Sequence, residues 1–282
     1  MIRPAVSACL ITYNQEKYVE QALMGCLNQQ PNLEYEIVIG DDASTDGTRA
    51  ILEKAASQDS RIKLLPPTAN LGMHGNWERT IEACSGEFIA ICEGDDYWKD
   101  PNKLNKQLAL LKNDPIAVAC FSNADVIYSN GHKDEYDYVD SQISHLKAAD
   151  FFAMDHNPIP TCTLLFRKSC LNKFPEVYYQ SPFADWILHT LLFQRGHYVY
   201  LNEKSSCYRK HEAGLWSGSG EEKKLLNKLK VLKIIQSMVS SKHRAFVQSA
   251  IRNNLDQLLY FYRDSGQRLR YINTWVKLKL SN

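Results

Sequence analysis

Three carboxylates in four residues, Glu93, Asp95 and Asp96 around Gly94, follow directly on the unbroken apolar run Phe88-Ile89-Ala90-Ile91-Cys92. An apolar run bounded by a turn signal fits a strand buried on both faces. Carboxylates gathered at the end of such a strand repel one another and are costly there without a counter-charge. A divalent cation that favours oxygen ligands, Mg²⁺ or Mn²⁺, is the simplest remedy. A solvated acidic turn, with Gly94 supplying the bend, accounts for the same residues without a metal. The stretch taken alone does not choose between the two.

The elements that must position these groups are legible as a repeated pattern. A strand over 6–11 leads through Thr12-Tyr13-Asn14-Gln15 to a helix over 20–27, where Val19, Leu23 and Leu27 recur on one side. A second strand over 36–40 ends in Asp41-Asp42, and Ser44, Thr45 or Asp46 can cap a helix over 48–56. A short strand over 62–65, the Asn70-Leu71-Gly72 turn and a helix over 76–84 lead into the strand at 88–92. Strand, loop and helix repeated at this spacing predict a parallel sheet with crossover helices. Ligands of such sheets bind beyond the carboxyl ends of the strands, which gathers 12–16, 41–42, 70–76 and 93–96 onto one rim. Further on, the sequence predicts a helix over 103–112, strands over 117–122, 125–128, 161–167 and 198–201, and a helix over 183–193. The tyrosine-bearing stretch 131–144 reads as a loop or an edge hairpin. After Ser217-Gly218-Ser219-Gly220 the chain is helical, with Leu225, Leu229, Leu232 and Ile235 at helical spacing.

Composition narrows the classes. The 282 residues are 44% hydrophobic and 23% charged, which is ordinary globular composition. No GxGxxG follows the first strand and no GxxxxGK[ST] occurs, so a phosphate-bearing ligand would rely on a metal rather than on a glycine-rich cradle. The eight cysteines form no CxxC pair, which excludes common zinc-ligand and redox spacings. The amino terminus reads as a first strand, not a signal peptide. No window approaches the roughly 18–20 apolar residues of a membrane span, and the reduced cytoplasm is the expected location. From Glu221 onward thirteen Lys and Arg face four Asp and Glu, about +9, which leaves about −8 ahead of it for a net +1. That distribution argues against nucleic acid and leaves an anionic membrane surface or an acidic protein as partner for the basic tail.

In order, SACLITYNQEKYVEQAL, EIVIGDDASTDGT, NLGMHGNWERTIEACSGEFIAICEGDDYW, FADW and YRKH resemble the motifs of family 2 glycosyltransferases over roughly residues 4–215. The resemblance implies a GT-A fold, a Rossmann-like, mostly parallel central sheet flanked by helices, here with a helical C-terminal extension. It places a catalytic domain at 1–217, with a nucleotide-sugar half near 1–115 and an acceptor half near 116–217, and the basic extension at 218–282. It implies a metal-dependent inverting enzyme using a nucleotide-diphosphate sugar, with UDP the expected nucleotide, and a glycan or lipid-linked glycan acceptor of the cell envelope.

Residue by residue, the resemblance lines the nucleotide pocket with Thr12, Tyr13, Asn14 and Glu16, and brings Asp41, Asp42 and Asn76 to the base or ribose. Helix capping is the plain alternative for Asp41 and Asp42. Asp95 is expected toward ribose and metal and Asp96 on the metal, with His211 reaching back to the Mn²⁺ or Mg²⁺ and Arg209 assisting the diphosphate. Glu93 stands where an aspartate is frequent, and a supporting role is its expectation. Asp185 matches the catalytic base, which must take the acceptor proton on the face opposite the leaving group; a carboxylate at a helix N-terminus is the plainer reading. His74 is a weaker ligand candidate. The loop 212–220 reads as a lid. The basic helices suit peripheral contact with the inner membrane face, packing on the domain, or a homodimer contact. A non-catalytic sugar-nucleotide binder and a nucleotidyltransferase are the rival classes; against the latter, the loop TYNQEKY has no glycine.

Overall fold

The computed structural model describes residues 4–30, 34–134, 142–212, 214 and 216–276, and the backbone of 277–280. In chain order the elements are β1 (Val6–Thr12), α1 (Val19–Leu27), β2 (Tyr35–Asp41), α2 (Thr48–Ala56), β3 (Ile62–Leu64), α3 (Gly72–Ala83), β4 (Phe88–Glu93), β5 (Tyr97–Trp98), α4 (Lys103–Asn113) and β6 (Ala119–Tyr128). There follow β7 (Lys133–Asp134), β8 (His145–Leu146), α5 (Ala148–Ala153), β9 (Leu165–Arg167), α6 (Ala184–Phe193), β10 (Tyr198–Lys210), α7 (Glu221–Met238), α8 (Ser241–Asp264) and α9 (Arg268–Leu280).

These strands form one sheet in the order β3-β2-β1-β4-β9-β6-β10-β5, with β7 added on β6 and β8 on β10. The pairs β3–β2, β2–β1, β1–β4 and β6–β10 are parallel. Strand β9 runs antiparallel to both β4 and β6. Because it reverses twice, β4, β6 and β10 all point the same way as β1 and β2, and their carboxyl ends share one rim. Alternate residues of each inner strand face opposite layers. Ala8 and Leu10 of β1 pack with α1, α2 and α4, whereas Cys9 and Ile11 pack in the layer that contains Trp77 of α3 and Trp186 of α6. Leu225, Leu232, Val247 and Leu258 of α7 and α8 join that second layer, so the C-terminal helices pack on the sheet domain.

Most expected elements are present, with instructive differences. The strands expected at 117–122 and 125–128 are one continuous strand, β6, because Asn123 is buried with its amide donating to Tyr200 Oη at 2.6 Å, so a polar residue no longer interrupts the strand. Residues 161–163 form a 3-10 turn after Pro160, and only 165–167 are strand. The strand expected to stop at 201 runs on to Lys210, carried past its polar middle by pairing with β6 through two register shifts. Helix α3 starts at Gly72, four residues early, where φ of +73° suits glycine. Part of the stretch 131–144 and two residues of the loop 212–220 lie outside the described residues. All eight cysteines are free.

Candidate active site

The loop after β1 and the loop after β2 hold each other. Asn14, at φ +53°, accepts the Thr45 N–H on Oδ1 at 2.8 Å, and its own N–H donates to Ser44 Oγ at 2.9 Å. Glu16 Oε2 accepts the Gly47 N–H at 2.7 Å, while the Glu16 N–H donates to Asp46 Oδ2 at 3.1 Å. Asp46 also accepts the Thr48 N–H, an Asx turn that leads into α2. Asn14 and Glu16 are thereby engaged in shaping the pocket wall, and Tyr13, 46% exposed, is left with its ring free to offer a stacking face.

The carboxylates of β2 lie deeper. Asp41 accepts the Ser44 hydroxyl and lies 3.8 Å from an Arg49 nitrogen. Asp42 accepts the Leu71 N–H at 2.7 Å, and its carbonyl accepts from Asn70, so it braces the start of α3. Both are buried. Asn76 is buried too, its amide donating to the Gly40 carbonyl at 2.8 Å. His74 meets Tyr178 edge to face at 4.6 Å, and its burial lowers the imidazole pKa.

The acidic turn at the end of β4 divides into two environments. Asp96 points inward and is almost wholly buried; its Oδ1 accepts the Arg209 backbone N–H at 2.8 Å. Burial, with the Asp95 charge next to it, pushes its pKa well up. Its Oδ2 is buried with no hydrogen-bond partner. Asp95 points outward, and its Oδ2 lies 3.0 Å from His211 Nε2 and 3.5 Å from the Gln15 amide. At Glu93, burial first, then the charges of Asp96, Asp95 and Asp185, raises the pKa.

Strand β10 brings the opposing charges. It pairs antiparallel with β5, which follows the acidic turn directly, so the two motifs are fastened through Cys207 and Tyr97. The Arg209 guanidinium lies between the rings of Tyr18 and Tyr97, at 5.0 and 4.6 Å, and donates to the Asp95 carbonyl and to Gln21. The His211 ring packs on Tyr18 at 5.2 Å, and its carbonyl accepts the Ser217 hydroxyl at 2.7 Å. The Asp95 carboxylate and the His211 imidazole, 3.0 Å apart, are a donor pair suited to Mn²⁺ or Mg²⁺, and Asp96 beside them keeps one buried carboxylate oxygen unpartnered. Asp95, expected toward ribose and metal, is the carboxylate beside His211. Asp96, expected on the metal, anchors β10.

Asp185 opens α6. Its Oδ2 accepts the Asn157 amide at 2.8 Å and its Oδ1 the Trp186 N–H at 2.9 Å. Burial raises its pKa from the ordinary aspartate value, against the pull of those two donors. Trp186 is buried in the core, and Phe183 meets Trp216 of the 212–220 loop edge to face at 5.6 Å. Sequence reasoning missed Tyr18, Tyr97, Gln21 and Asn157. Tyr97 adjoins the acidic turn, and Asn157-Pro158 is a turn signal whose side chain does accept the Ile159 N–H; nothing in spacing marked Tyr18 or Gln21.

This constellation agrees with the comparisons to known proteins. The sequence profile described as Glycosyl transferase family 2 matches residues 7–172. The chain belongs to glycosyl transferase family 2. The Mycobacterium tuberculosis protein Rv1520 is 35% identical over 216 residues, 75% of this chain, and the matched region spans 60% of that relative's length. The dTDP-rhamnosyl transferase RfbG of Shigella flexneri is 29% identical over 217 residues, 72% of either chain. Among solved structures, residues 1–349 of S. aureus TarS in complex with UDP-GlcNAc share the fold with a TM-score of 0.71 at 19% identity, over 98% of this chain and 81% of that one. The mannosyltransferase PcManGT from Pyrobaculum calidifontis, solved with GDP-Man and Mn²⁺, gives 0.65 at 15% identity, over 100% and 85%. The family's GT-A architecture is therefore the fold of this chain, with helices added at its C-terminal end.

Proposed function

We propose that the chain is a metal-dependent inverting glycosyltransferase that moves a sugar from a nucleotide diphosphate, UDP foremost, to a hydroxyl of a glycan or lipid-linked glycan in surface-polysaccharide assembly. The observation that carries the reading is the convergence of Asp95, His211 and Arg209 from two strand ends, with Asp95 Oδ2 and His211 Nε2 3.0 Å apart. Asp95 and His211 would hold Mn²⁺ or Mg²⁺, with Asp96 close behind them. The bound ion supplies a Lewis acid that offsets the charge left on the departing diphosphate. Arg209, fixed between two tyrosines, adds a second positive charge for the same phosphates. Tyr13 offers the base a stacking face, while Asn14, Glu16, Asp41, Asp42 and Asn76 keep the pocket walls in place, and Thr12 has a buried hydroxyl free to bond. Asp185, at the start of α6, takes the proton of the acceptor hydroxyl in the displacement.

Support for a sugar nucleotide comes from family membership and from the UDP-GlcNAc and GDP-Man bound by the two structural neighbours. The acceptor half and the helices beyond it suit a membrane-borne acceptor. Helix α9 exposes Leu269, Ile272, Trp275 and Val276 beside Arg268 and Arg270, a pattern that fits an anionic bilayer surface. Among the described residues no helix is long and apolar enough to cross a membrane. The test is a panel of UDP-, GDP- and dTDP-sugars with Mn²⁺, read by thermal shift and then by release of nucleotide diphosphate. A donor that stabilises the protein and is turned over supports the proposal; no stabilisation by any of them overturns it.

A further inference from the structure

The rim opposite the donor pocket carries a second convergence of metal-binding atoms. Asp114 closes α4, His145 begins β8 and His197 stands immediately before β10, so three separate elements meet at the amino ends of β6 and β10. Asp114 Oδ1 accepts the N–H groups of Ile116 and Ala117, each at 3.1 Å, which fixes the carboxylate and turns Oδ2 outward. That one oxygen lies 2.7 Å from His197 Nε2 and 3.4 Å from His145 Nε2. The two rings stand edge to face with centroids 5.1 Å apart. On its other nitrogen, His145 Nδ1 lies 2.9 Å from Ser144 Oγ, an outer contact of the kind that orients ligating imidazoles. The three ligand atoms all fall within 4.8 Å of one another.

A four-coordinate zinc ion with bonds of about 2.0–2.1 Å keeps its ligand atoms about 3.3 Å apart. The three atoms here need shift by only fractions of an ångström to about one ångström to reach that geometry. The side chains of Asp114 and His197 are 25% and 26% exposed and that of His145 44%, which leaves an open side for a water as fourth ligand. Two imidazoles and one carboxylate select a borderline ion such as zinc over Mg²⁺ or Ca²⁺. We propose that Asp114, His145 and His197 form a zinc site, completed by water, that ties β8 to the sheet. Strand β8 pairs with β10 through Leu146 with Tyr198 and His145 with Val199, extended by the Tyr200 N–H donating to the Ser144 carbonyl at 2.9 Å, and it leads into α5, whose Phe151 and Phe152 are buried in the core. An ion shared by three elements would secure that crossing. The site is remote from the donor pocket, since β10 runs between them alongside the ten residues of β6, roughly 30 Å of strand.

The experiment uses the tag-free, chelator-stripped full chain. Wild type should take up one zinc ion per chain that the His145→Ala/His197→Gln double variant and Asp114→Asn do not. Cobalt in its place should give the intense visible bands of a four-coordinate ion. Zinc in excess should raise the melting temperature of wild type by several degrees and leave that of the variants unchanged. His145 is partly exposed, so its substitution alone, as His145→Ala, provides a folded control. Equal zinc uptake by wild type and variants overturns the site, as does none at all. Loss of the extra ion in Asp95→Asn instead would assign it to the donor pocket and equally overturn it.

Discussion

Asp95 and Asp96 are neighbours in sequence with opposite surroundings, and substituting each reads out a different property. Asp95→Asn keeps the shape of the turn but removes the charge beside His211, so nucleotide-diphosphate release should fall at least a hundredfold while the melting temperature holds. Asp96→Ala leaves the buried Arg209 N–H without its acceptor, which costs about 1–3 kcal/mol; here the melting temperature should drop along with activity. Asp185 makes a pH prediction. Its folded pKa lies above the ordinary aspartate value of about 3.9, chiefly through burial. The stability this shift contributes is therefore fully present below that ordinary value and is lost as pH rises through the folded one. Catalysis runs the other way, because a base must be ionised, so the acid limb of kcat/KM should lie above pH 4. Asn157→Leu removes a donor that favours the ionised form and should move the limb higher still. An acid limb unchanged by Asn157→Leu would remove Asp185 from the role of base.

Among the elements, the junction of β1 and β4 constrains the site closely. A Cβ on Gly94 would lie 2.3 Å from Thr12 Oγ1 and 2.7 Å from its Cβ. Gly94→Ala must therefore push the end of β4 away from β1, at about 1–3 kcal/mol. A lower melting temperature together with weaker UDP binding is the expected pair of results, and calorimetry checks both. The elements that were legible in the sequence are those whose apolar period is uninterrupted: β1, β2, β4 and α2 fall at or within one residue of their expected limits. Strands β6 and β10 were not, because Asn123 in one and Glu203-Lys204 in the other break the apolar pattern, and only the cross-strand partner makes those polar residues strand. The site followed the same division. Groups on motif loops were visible, whereas Tyr18, Gln21 and Asn157 act through tertiary proximity, which no spacing along the chain encodes. The inward turn of Asp96 and outward turn of Asp95 likewise depend on β10.

At the scale of the whole molecule, charge and apolar exposure are concentrated at the C-terminal end. Helix α9 should bind vesicles containing anionic lipid, and Ile272→Glu with Trp275→Glu should abolish co-sedimentation without altering turnover of a soluble acceptor. Raised salt should weaken binding, as screening requires. Equal sedimentation of wild type and the double variant would leave α9 as packing surface alone. Strand β10 carries a different consequence across the same molecule. Between Leu201 and Ser206 it advances five residues while β6 advances two, from Ser122 to Ala124. Side chains alternate along a strand, so those three surplus residues set the phase in which Arg209 arrives at the rim. Deleting any one of them would leave every catalytic group in the chain, yet rotate Arg209 to the opposite face of the sheet. Families that keep these residues and vary the length of this segment should therefore differ in activity as even and odd numbers do.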